Sequence, residues 1–225
     1  VVFFATCDIN HLSTIVHECG MQGTIIAVVG APASGKSFLS QRLQAHFKAT
    51  AFFEGGPDTL PKRIIQNLAK QVRNFETIVF FRNKQVNAMV EAQQLKQQGK
   101  TVVMDTFWIT YQLYIDTMLK GFEKELAETL ADTDRKTLPW PDIILFLRID
   151  EKSIRRSIKK RGWAFDQSES YIQRVLSANA AHERFFKQHA SKNVITIDRT
   201  VLDFENDAHF SRLLKKLRST IASRS

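Results

Sequence analysis

The sequence predicts an α/β fold, a three-layer doubly wound sandwich around a five-stranded parallel sheet. Two observations lead to this prediction. Five short runs of β-branched and other apolar residues recur along the chain, and longer segments with helical spacing separate them. Strands so far apart in sequence pair in parallel through helical crossovers, which place helices on both faces of the sheet. The 225 residues and 44% hydrophobic content are enough for one such domain.

The five predicted strands leave room for a helix between each pair. The first run, Thr24 to Val29, is apolar without alternation, which is typical of a strand buried on both faces of a sheet. The other four are Ala49 to Phe53, Thr101 to Met104, Ile143 to Ile149 and Val194 to Ile197. The last helix is amphipathic and is expected to pack against the sheet. Its apolar stripe comprises Phe210, Leu213, Leu214, Leu217 and Ile221.

Composition and charge limit the classes of protein that fit. There are 32 Lys and Arg against 23 Asp and Glu, a net charge of +9, so a polyanionic partner is expected: a nucleotide, a nucleic acid or an anionic lipid. Cys7 and Cys19 are too few for a disulfide framework, so a reducing, cytoplasmic location is expected. A mean hydropathy of -0.22 argues against a membrane span. We expect residues 1–20 to be an N-terminal extension outside the fold, and residues 21–225 to form the domain.

Residues 30–37 fit the phosphate-binding loop pattern G-x-x-x-x-G-K-[ST], directly after a predicted strand and before a predicted helix. The expected nucleotide-binding residues are Gly30, Ala31, Pro32, Ala33, Ser34, Gly35, Lys36 and Ser37. The Lys36 ammonium would reach the β- and γ-phosphates, and the Ser37 hydroxyl would bind Mg²⁺. The sequence therefore predicts a P-loop NTPase fold that binds ATP or GTP with Mg²⁺.

The acceptor side of such a site distinguishes kinases from other P-loop proteins. Asn83-Lys84 lacks the following acid of a guanine-reading motif, and no predicted strand ends in adjacent acids as in motor ATPases. Glu54 and Asp105 instead follow the second and third strands, at the edge of the sheet where parallel α/β folds bind ligands. Glu54 is placed to accept a proton from an attacking hydroxyl, and Asp105 to hold Mg²⁺ through water and to contact the substrate. A small kinase is favoured.

Taken together, these motifs resemble the deoxynucleoside kinase family within the P-loop nucleoside and nucleotide kinases. The resemblance covers roughly Met21 to Ile221 and rests on the order and spacing of GAPASGKS, FFEGG, FFRNKQ, VVMDT, PDIILFLRID, RRSIKKRG and ITIDRTVLDFEND. Only the first of these is specific by itself. The resemblance implies transfer of the ATP γ-phosphate to the 5′-hydroxyl of a nucleoside, with Glu54 as the base.

The chain departs from this family after the third strand. The family has Asp-Arg or Glu-Arg there, whereas this chain has Asp105-Thr106. Arg82 lies in the helix that the family uses to read the base, and we expect it to supply the missing charge. Candidates for hydrogen bonds to the base are Asn83 and Gln85. Candidates for stacking on the base are Phe53, Phe81 and Trp108.

The basic excess is concentrated in the last third of the chain. From Arg148 onward there are 17 Lys and Arg against 9 Asp and Glu. In the resembling family this region carries the lid, here around residues 152–166, whose arginines fold over the phosphates. An Arg fork suits phosphate oxygens because its planar donors meet them in pairs. We expect Arg156 and Arg161 to act catalytically, with Arg155 and Lys160 as substitutes.

Two other functions remain open at this stage. A nucleoside monophosphate kinase of the thymidylate type would need more positive charge near Arg82 for its phosphorylated acceptor. A P-loop ATPase or sensor that binds nucleic acid would use the basic lid, but only Trp163 lies there for stacking, so nucleic-acid binding is less favoured. The preferred base, the choice of ATP over GTP and the formation of a homodimer are open as well.

Overall fold

The computed structural model describes residues 23–191 and 193–222. Its five-stranded sheet is parallel throughout and has the spatial order β2-β3-β1-β4-β5. The strands are β1 (Ile25–Val29), β2 (Thr50–Phe52), β3 (Val102–Asp105), β4 (Ile143–Arg148) and β5 (Val194–Asp198). The predicted fold class and all five predicted strands are confirmed, with ends that differ by one residue. Because β1 lies between β3 and β4, it marks the point where the winding of the chain changes side.

Nine helices occur in the part of the chain that the structure describes. They are α1 (Lys36–Phe47), α2 (Lys62–Lys70), α3 (Asn74–Gln97), α4 (Ile109–Gln112), α5 (Ile115–Met118), α6 (Gly121–Thr137), α7 (Glu151–Arg161), α8 (Glu169–Gln188) and α9 (Asp207–Ala222). None of these helices is long and apolar enough to span a membrane.

The central strand divides its side chains between two cores. On one face, Ile26 and Val28 of β1 pack in a cluster with side chains from α1 and α9. On the other face, Ile25, Ala27 and Val29 pack in a cluster with side chains from α3 and α8. This alternation explains the unbroken apolar run in the sequence, since both faces of the strand are covered. The apolar stripe of the last helix lies against the sheet, as predicted.

The amino-terminal edge of the sheet is held by one carboxylate. The backbone N–H of Ile25 donates to Asp142 Oδ2 at 2.8 Å, and Lys96 Nζ donates to Asp142 Oδ1 at 2.6 Å. These bonds tie the start of β1 and the end of α3 to the segment before β4. The opposite, carboxyl-terminal edge carries the loops in which the candidate site lies. The predicted N-terminal extension falls on residues 1–20, which lie outside the described residues.

Candidate functional site

The loop at residues 30–37 connects β1 to α1 through an unusual backbone path. Ala33 and Gly35 have positive φ angles of 67° and 93°. A Cβ atom at Gly30 would lie only 2.8 Å from the carbonyl oxygen of Leu147 and 2.9 Å from Ser34 Oγ, so this position requires glycine. The loop leads into the N-terminus of a twelve-residue helix. Such a loop at a helix N-terminus is a phosphate-binding arrangement.

The end of the loop brings three of the predicted residues together. Lys36 is buried, and its Nζ donates to the carbonyl oxygens of Gly30 at 3.1 Å and Ala31 at 3.3 Å. Ser37 Oγ donates to Asp105 Oδ2 at 2.6 Å, which places α1 and the end of β3 in contact. Burial raises the pKa of the Asp105 carboxyl, and the nearby Lys36 ammonium works in the opposite direction.

Ser37 and Asp105 fit a magnesium ion. Hydroxyl and carboxylate oxygens are ligands that Mg²⁺ accepts, directly or through water. Asp105 Oδ1 is buried without a hydrogen-bond partner, so this atom is available to an ion or its water. Over residues 23–191 and 193–222 no group of three or more His, Cys, Asp or Glu forms a metal site. Phosphate oxygens and water would therefore complete the shell.

Glu54, two residues after the end of β2, is oriented by Gln85 from α3. Gln85 Nε2 donates to Glu54 Oε1 at 3.0 Å, and Gln85 Oε1 accepts from the backbone N–H of Tyr111 at 3.4 Å. The second contact fixes which end of the amide faces the carboxylate. Burial raises the pKa of Glu54; the Lys36 ammonium opposes this shift and the Asp105 carboxylate adds to it. Gln85 was predicted to form hydrogen bonds with the nucleobase of the substrate. In the structure it instead donates a hydrogen bond to Glu54, the candidate general base.

Arg82 and Asn83 do not reach this site. Arg82 forms a two-bond ion pair with Asp134 of α6, from Nε at 2.7 Å and from Nη2 at 2.6 Å. The Tyr111 hydroxyl donates to the same carboxylate at 2.6 Å. Asn83 is exposed and accepts a hydrogen bond from Arg82. The expectation that Arg82 supplies charge to the acceptor is therefore not supported, because a buried carboxylate of the neighbouring helix holds its guanidinium away from the cavity.

One cavity of about 630 Å³ joins the phosphate-binding loop to Glu54 and extends between the helices beyond it. Among the predicted stacking residues, Phe81 lines this cavity. Trp108 is fully buried in the core, where its Nε1 donates to the carbonyl oxygen of Pro139 at 2.9 Å. Phe53 is not among the lining residues. The part of the cavity beyond Glu54 is lined mainly by apolar and aromatic side chains: Leu68, Ile78, Phe81, Tyr111, Tyr114 and Met118.

Helix α7 and the loop after it form the candidate lid. Arg156, Lys160 and Arg161 all line the cavity. Arg161 donates to the buried Asp166 at 2.5 Å, and its guanidinium lies 4.2 Å from the ring centroid of Trp163. Arg155 instead pairs with two glutamates outside the cavity, so the structure does not favour it as a substitute.

The ring of Trp163 also reaches across to the segment after Glu54. A Cβ added at Gly56 would lie 3.3 Å from this ring, so the two are in close contact. The tip of the candidate lid is therefore docked on the segment that carries the candidate base.

Two arginines that line the cavity were not predicted. Arg199 follows β5, and its Nε donates to the carbonyl oxygen of Ser34 at 3.1 Å while its guanidinium covers Phe204. Its place after a parallel strand is a signal that could have identified it. Arg174 lies in the first turns of α8 and lines the cavity near Tyr114 and Tyr171. No local motif marks Arg174 in the sequence.

Thr106 occupies the position of the family arginine and faces inward. It is buried, and its hydroxyl contacts that of Thr110 at the start of α4. Its backbone has a φ of 81°, which is unusual for a β-branched residue, and its N–H donates to the carbonyl oxygen of Val28 at 2.9 Å. The end of β3 thus carries no positive charge toward the cavity.

A phosphate-binding loop beside the central strand, two carboxylates after neighbouring strands and a basic helix over the same cavity define a P-loop NTPase. The chain belongs to the AAA domain family, whose model matches residues 25–182.

Comparisons with individual proteins agree with this architecture. A probable thymidylate kinase of Archaeoglobus fulgidus is 22% identical over 143 residues, which cover 61% of this chain and 70% of that protein. The structure of deoxyadenosine kinase from M. mycoides with dCMP and dCDP has a TM-score of 0.71 at 18% identity, over 87% of this chain and 99% of that one. Thymidylate kinase from Candida albicans has a TM-score of 0.65 at 16% identity, over 89% and 94%. The resemblance to P-loop nucleoside and nucleotide kinases is confirmed at the level of the fold.

Proposed function

We propose that this protein transfers the γ-phosphoryl group of ATP to the 5′-hydroxyl of a nucleoside or deoxynucleoside. The observation that carries the proposal is the half-buried carboxylate of Glu54, which Gln85 orients inside the cavity that also contains the phosphate-binding loop. A carboxylate whose pKa is raised by burial suits a general base for an alcohol. The names of the similar proteins, two kinases of deoxyadenosine and of thymidylate, support the same class of acceptor.

The donor end of the cavity would hold ATP through the loop backbone and Lys36. In the structure the Lys36 ammonium binds loop carbonyl oxygens, and it would exchange these contacts for phosphate oxygens. Ser37 and Asp105 would hold Mg²⁺, which supplies charge neutralisation to the phosphates. Arg199, which packs on Gly35 and donates to Ser34, would support the outer side of the loop.

The transfer itself needs positioning and one proton acceptor. The acceptor oxygen would attack the γ-phosphorus in line, while the bond from this phosphorus to the β-phosphate oxygen breaks and ADP leaves. The hydroxyl proton would pass to the Glu54 carboxylate. Arg156 and Arg161 from α7 would stabilise the charge on the transferred group, because both line the cavity above the loop.

Phosphorylation of a nucleoside monophosphate, as by a kinase of the thymidylate type, is the second candidate. The Archaeoglobus fulgidus relative favours it, and so does the unpredicted Arg174, which brings a positive charge to the cavity. Use of the basic helix for nucleic acid is less favoured, because Arg156, Lys160 and Arg161 line the same cavity as the phosphate-binding loop. A cytoplasmic location and a homodimer remain part of the proposal for the enzyme.

To test the proposal, the protein is incubated with labelled ATP and a panel of acceptors, and transfer of the label to each acceptor is measured. We expect transfer to at least one nucleoside, and Lys36→Ala should abolish it. Glu54→Gln should lower kcat by about two orders of magnitude, the usual size of a general-base contribution, with little change in ATP affinity. Glu91→Gln on the exposed side of α3 is the matched control. Unchanged turnover in Glu54→Gln, or transfer to water alone, would contradict the proposal.

A further inference from the structure

Arg174 is the one arginine lining the cavity, among the described residues, that has no carboxylate partner and also has a guanidinium nitrogen buried without a hydrogen-bond partner. Its Nη2 donates to Gln71 Oε1 at 3.0 Å, while Nη1 is buried with no hydrogen-bond partner. By contrast, Arg161 pairs with Asp166, and Nε and Nη1 of Arg199 donate to the backbone carbonyls of Ser34 and Leu202. Arg156 has a hydrogen bond only to a serine, but none of its nitrogens is buried without a partner.

Partial burial of a guanidinium without an anionic partner costs free energy. Taking a cation out of water is unfavourable, and an attractive charge or a full set of hydrogen bonds must offset the loss. Burial indeed lowers the pKa of Arg174, and the groups that oppose this shift are the two tyrosines Tyr171 and Tyr114 rather than an acid. A position that leaves such a group facing a cavity is suited to a ligand that brings the missing negative charge.

The surroundings place Arg174 at the acceptor end of the cavity. Tyr114 and Tyr171 both lie within electrostatic range of Arg174 and of Glu54, so the two charged groups face the same region. Gln71, the partner of Arg174, follows the end of α2, whose Leu68 lines the cavity beyond Glu54. The phosphate-binding loop lies at the other end of the cavity. There Lys36 and Arg199 donate to carbonyl oxygens of the loop that would bind ATP.

We propose that Arg174 binds a phosphate group carried by the acceptor, so that the substrate is a phosphorylated nucleoside rather than a free one. This inference rests on the proposed phosphotransfer from ATP, and it replaces the free nucleoside of the first candidate function with a phosphorylated one. Two positions of the phosphate satisfy it. A 5′-phosphate would itself be the attacking group, whereas a 3′-phosphate would leave the 5′-hydroxyl beside Glu54. A guanidinium suits either, because its paired donors match two phosphate oxygens.

The first experiment measures thermal unfolding, with and without ligands, for the wild type and Arg174→Met. The ligands are the four deoxynucleosides, their 5′-monophosphates and their 3′-monophosphates. Without ligand we expect Arg174→Met to melt at or above the wild-type temperature, because the uncompensated charge is gone. With one series of monophosphates the wild type should gain stability that the variant does not. Arg184→Met, on the exposed side of the same helix, is the matched control.

The second experiment measures kinetics with the monophosphate that stabilises the wild type. Arg174→Gln should raise KM for this acceptor roughly 10- to 100-fold, the range expected for hydrogen bonds to a charged group, and leave KM for ATP unchanged. Arg174→Lys should recover part of the loss. Whether the 5′-monophosphates or the 3′-monophosphates show this dependence on Arg174 identifies the position of the bound phosphate.

Each of the other outcomes overturns the inference. If free nucleosides stabilise the wild type as much as both phosphate series, Arg174 does not select a phosphate. If Arg174→Met melts well below both the wild type and Arg184→Met, its role is structural. Failure of the proposed function is a separate result: no acceptor would be phosphorylated, while the unfolding measurements would still show whether Arg174 binds a phosphate.

Discussion

The contact between Gln85 and Glu54 makes a prediction about pH. Replacing Gln85 with Met removes the amide that donates to Glu54 Oε1 at 3.0 Å, one of the interactions that lower the pKa of this carboxyl. The hydrogen bond favours the ionised form, so its loss raises the pKa further. A hydrogen bond to a charged group contributes about 1.5 kcal/mol or more, which corresponds to roughly a tenfold smaller ionised fraction on the acidic side.

The measurement is kcat/KM against pH, at saturating ATP and with the best acceptor of the panel. We expect kcat/KM of Gln85→Met to be roughly tenfold lower than that of the wild type at the acidic end. The two values should converge at alkaline pH, where Glu54 is ionised in both proteins. Asn83→Met, exposed on the same helix, should leave the profile unchanged. This reasoning would be refuted if the acidic limb of the profile did not move and KM for the acceptor rose equally at every pH. Gln85 would then be assigned to binding the nucleobase of the acceptor.

Three further predictions concern stability and the lid. Burial raises the pKa of Glu54, so its ionised form destabilises the fold above that pKa; Glu54→Gln should therefore raise Tm at pH 8, with the gain disappearing toward acidic pH, as thermal unfolding would show. Burial lowers the pKa of His182 from 6.5 to about 4, so protonation of the unfolded chain should cost the wild type up to about 3 kcal/mol of stability between pH 6.5 and pH 4. Urea unfolding of His182→Gln should show a flatter dependence over this range, and His189→Gln should behave as the wild type. Trp163→Leu removes the ring under the Arg161 guanidinium, a contact worth about 1 kcal/mol, so kcat should fall roughly fivefold in a steady-state assay while the unfolding temperature stays within a few degrees.

Much of the fold could be predicted because its signals are local. A parallel strand that is covered on both faces appears in the sequence as an unbroken run of apolar residues, as in β1. Helices must then form the connections between such strands. The phosphate-binding loop could be predicted because its residues form a fixed local pattern, although one reason for glycine at position 30 is its contact with Leu147 of the distant strand β4. The contact of Ser37 with Asp105 follows from two adjacent parallel strands that end at one edge.

The parts of the site that could not be predicted depend on how helices are turned. Arg82 and Gln85 lie one turn apart on α3, yet one pairs with α6 and the other with Glu54, because this helix is enclosed on several sides. Nothing in its polar pattern says which side faces the cavity. Arg174 is similar: a charged residue on a long helix is normally interpreted as a surface residue, and only the tertiary structure shows that it lines a cavity with one guanidinium nitrogen unpartnered.

The inward-facing Thr106 also bears on how this chain relates to kinases that have an arginine in its place. Its left-handed backbone and its buried hydroxyl, joined to Thr110, leave a space suited to a small side chain. A guanidinium introduced there would have to displace the start of α4 or reverse the peptide that bonds to β1. No single replacement at this position would therefore convert one type of site into the other, and the two types are separated by several coordinated changes.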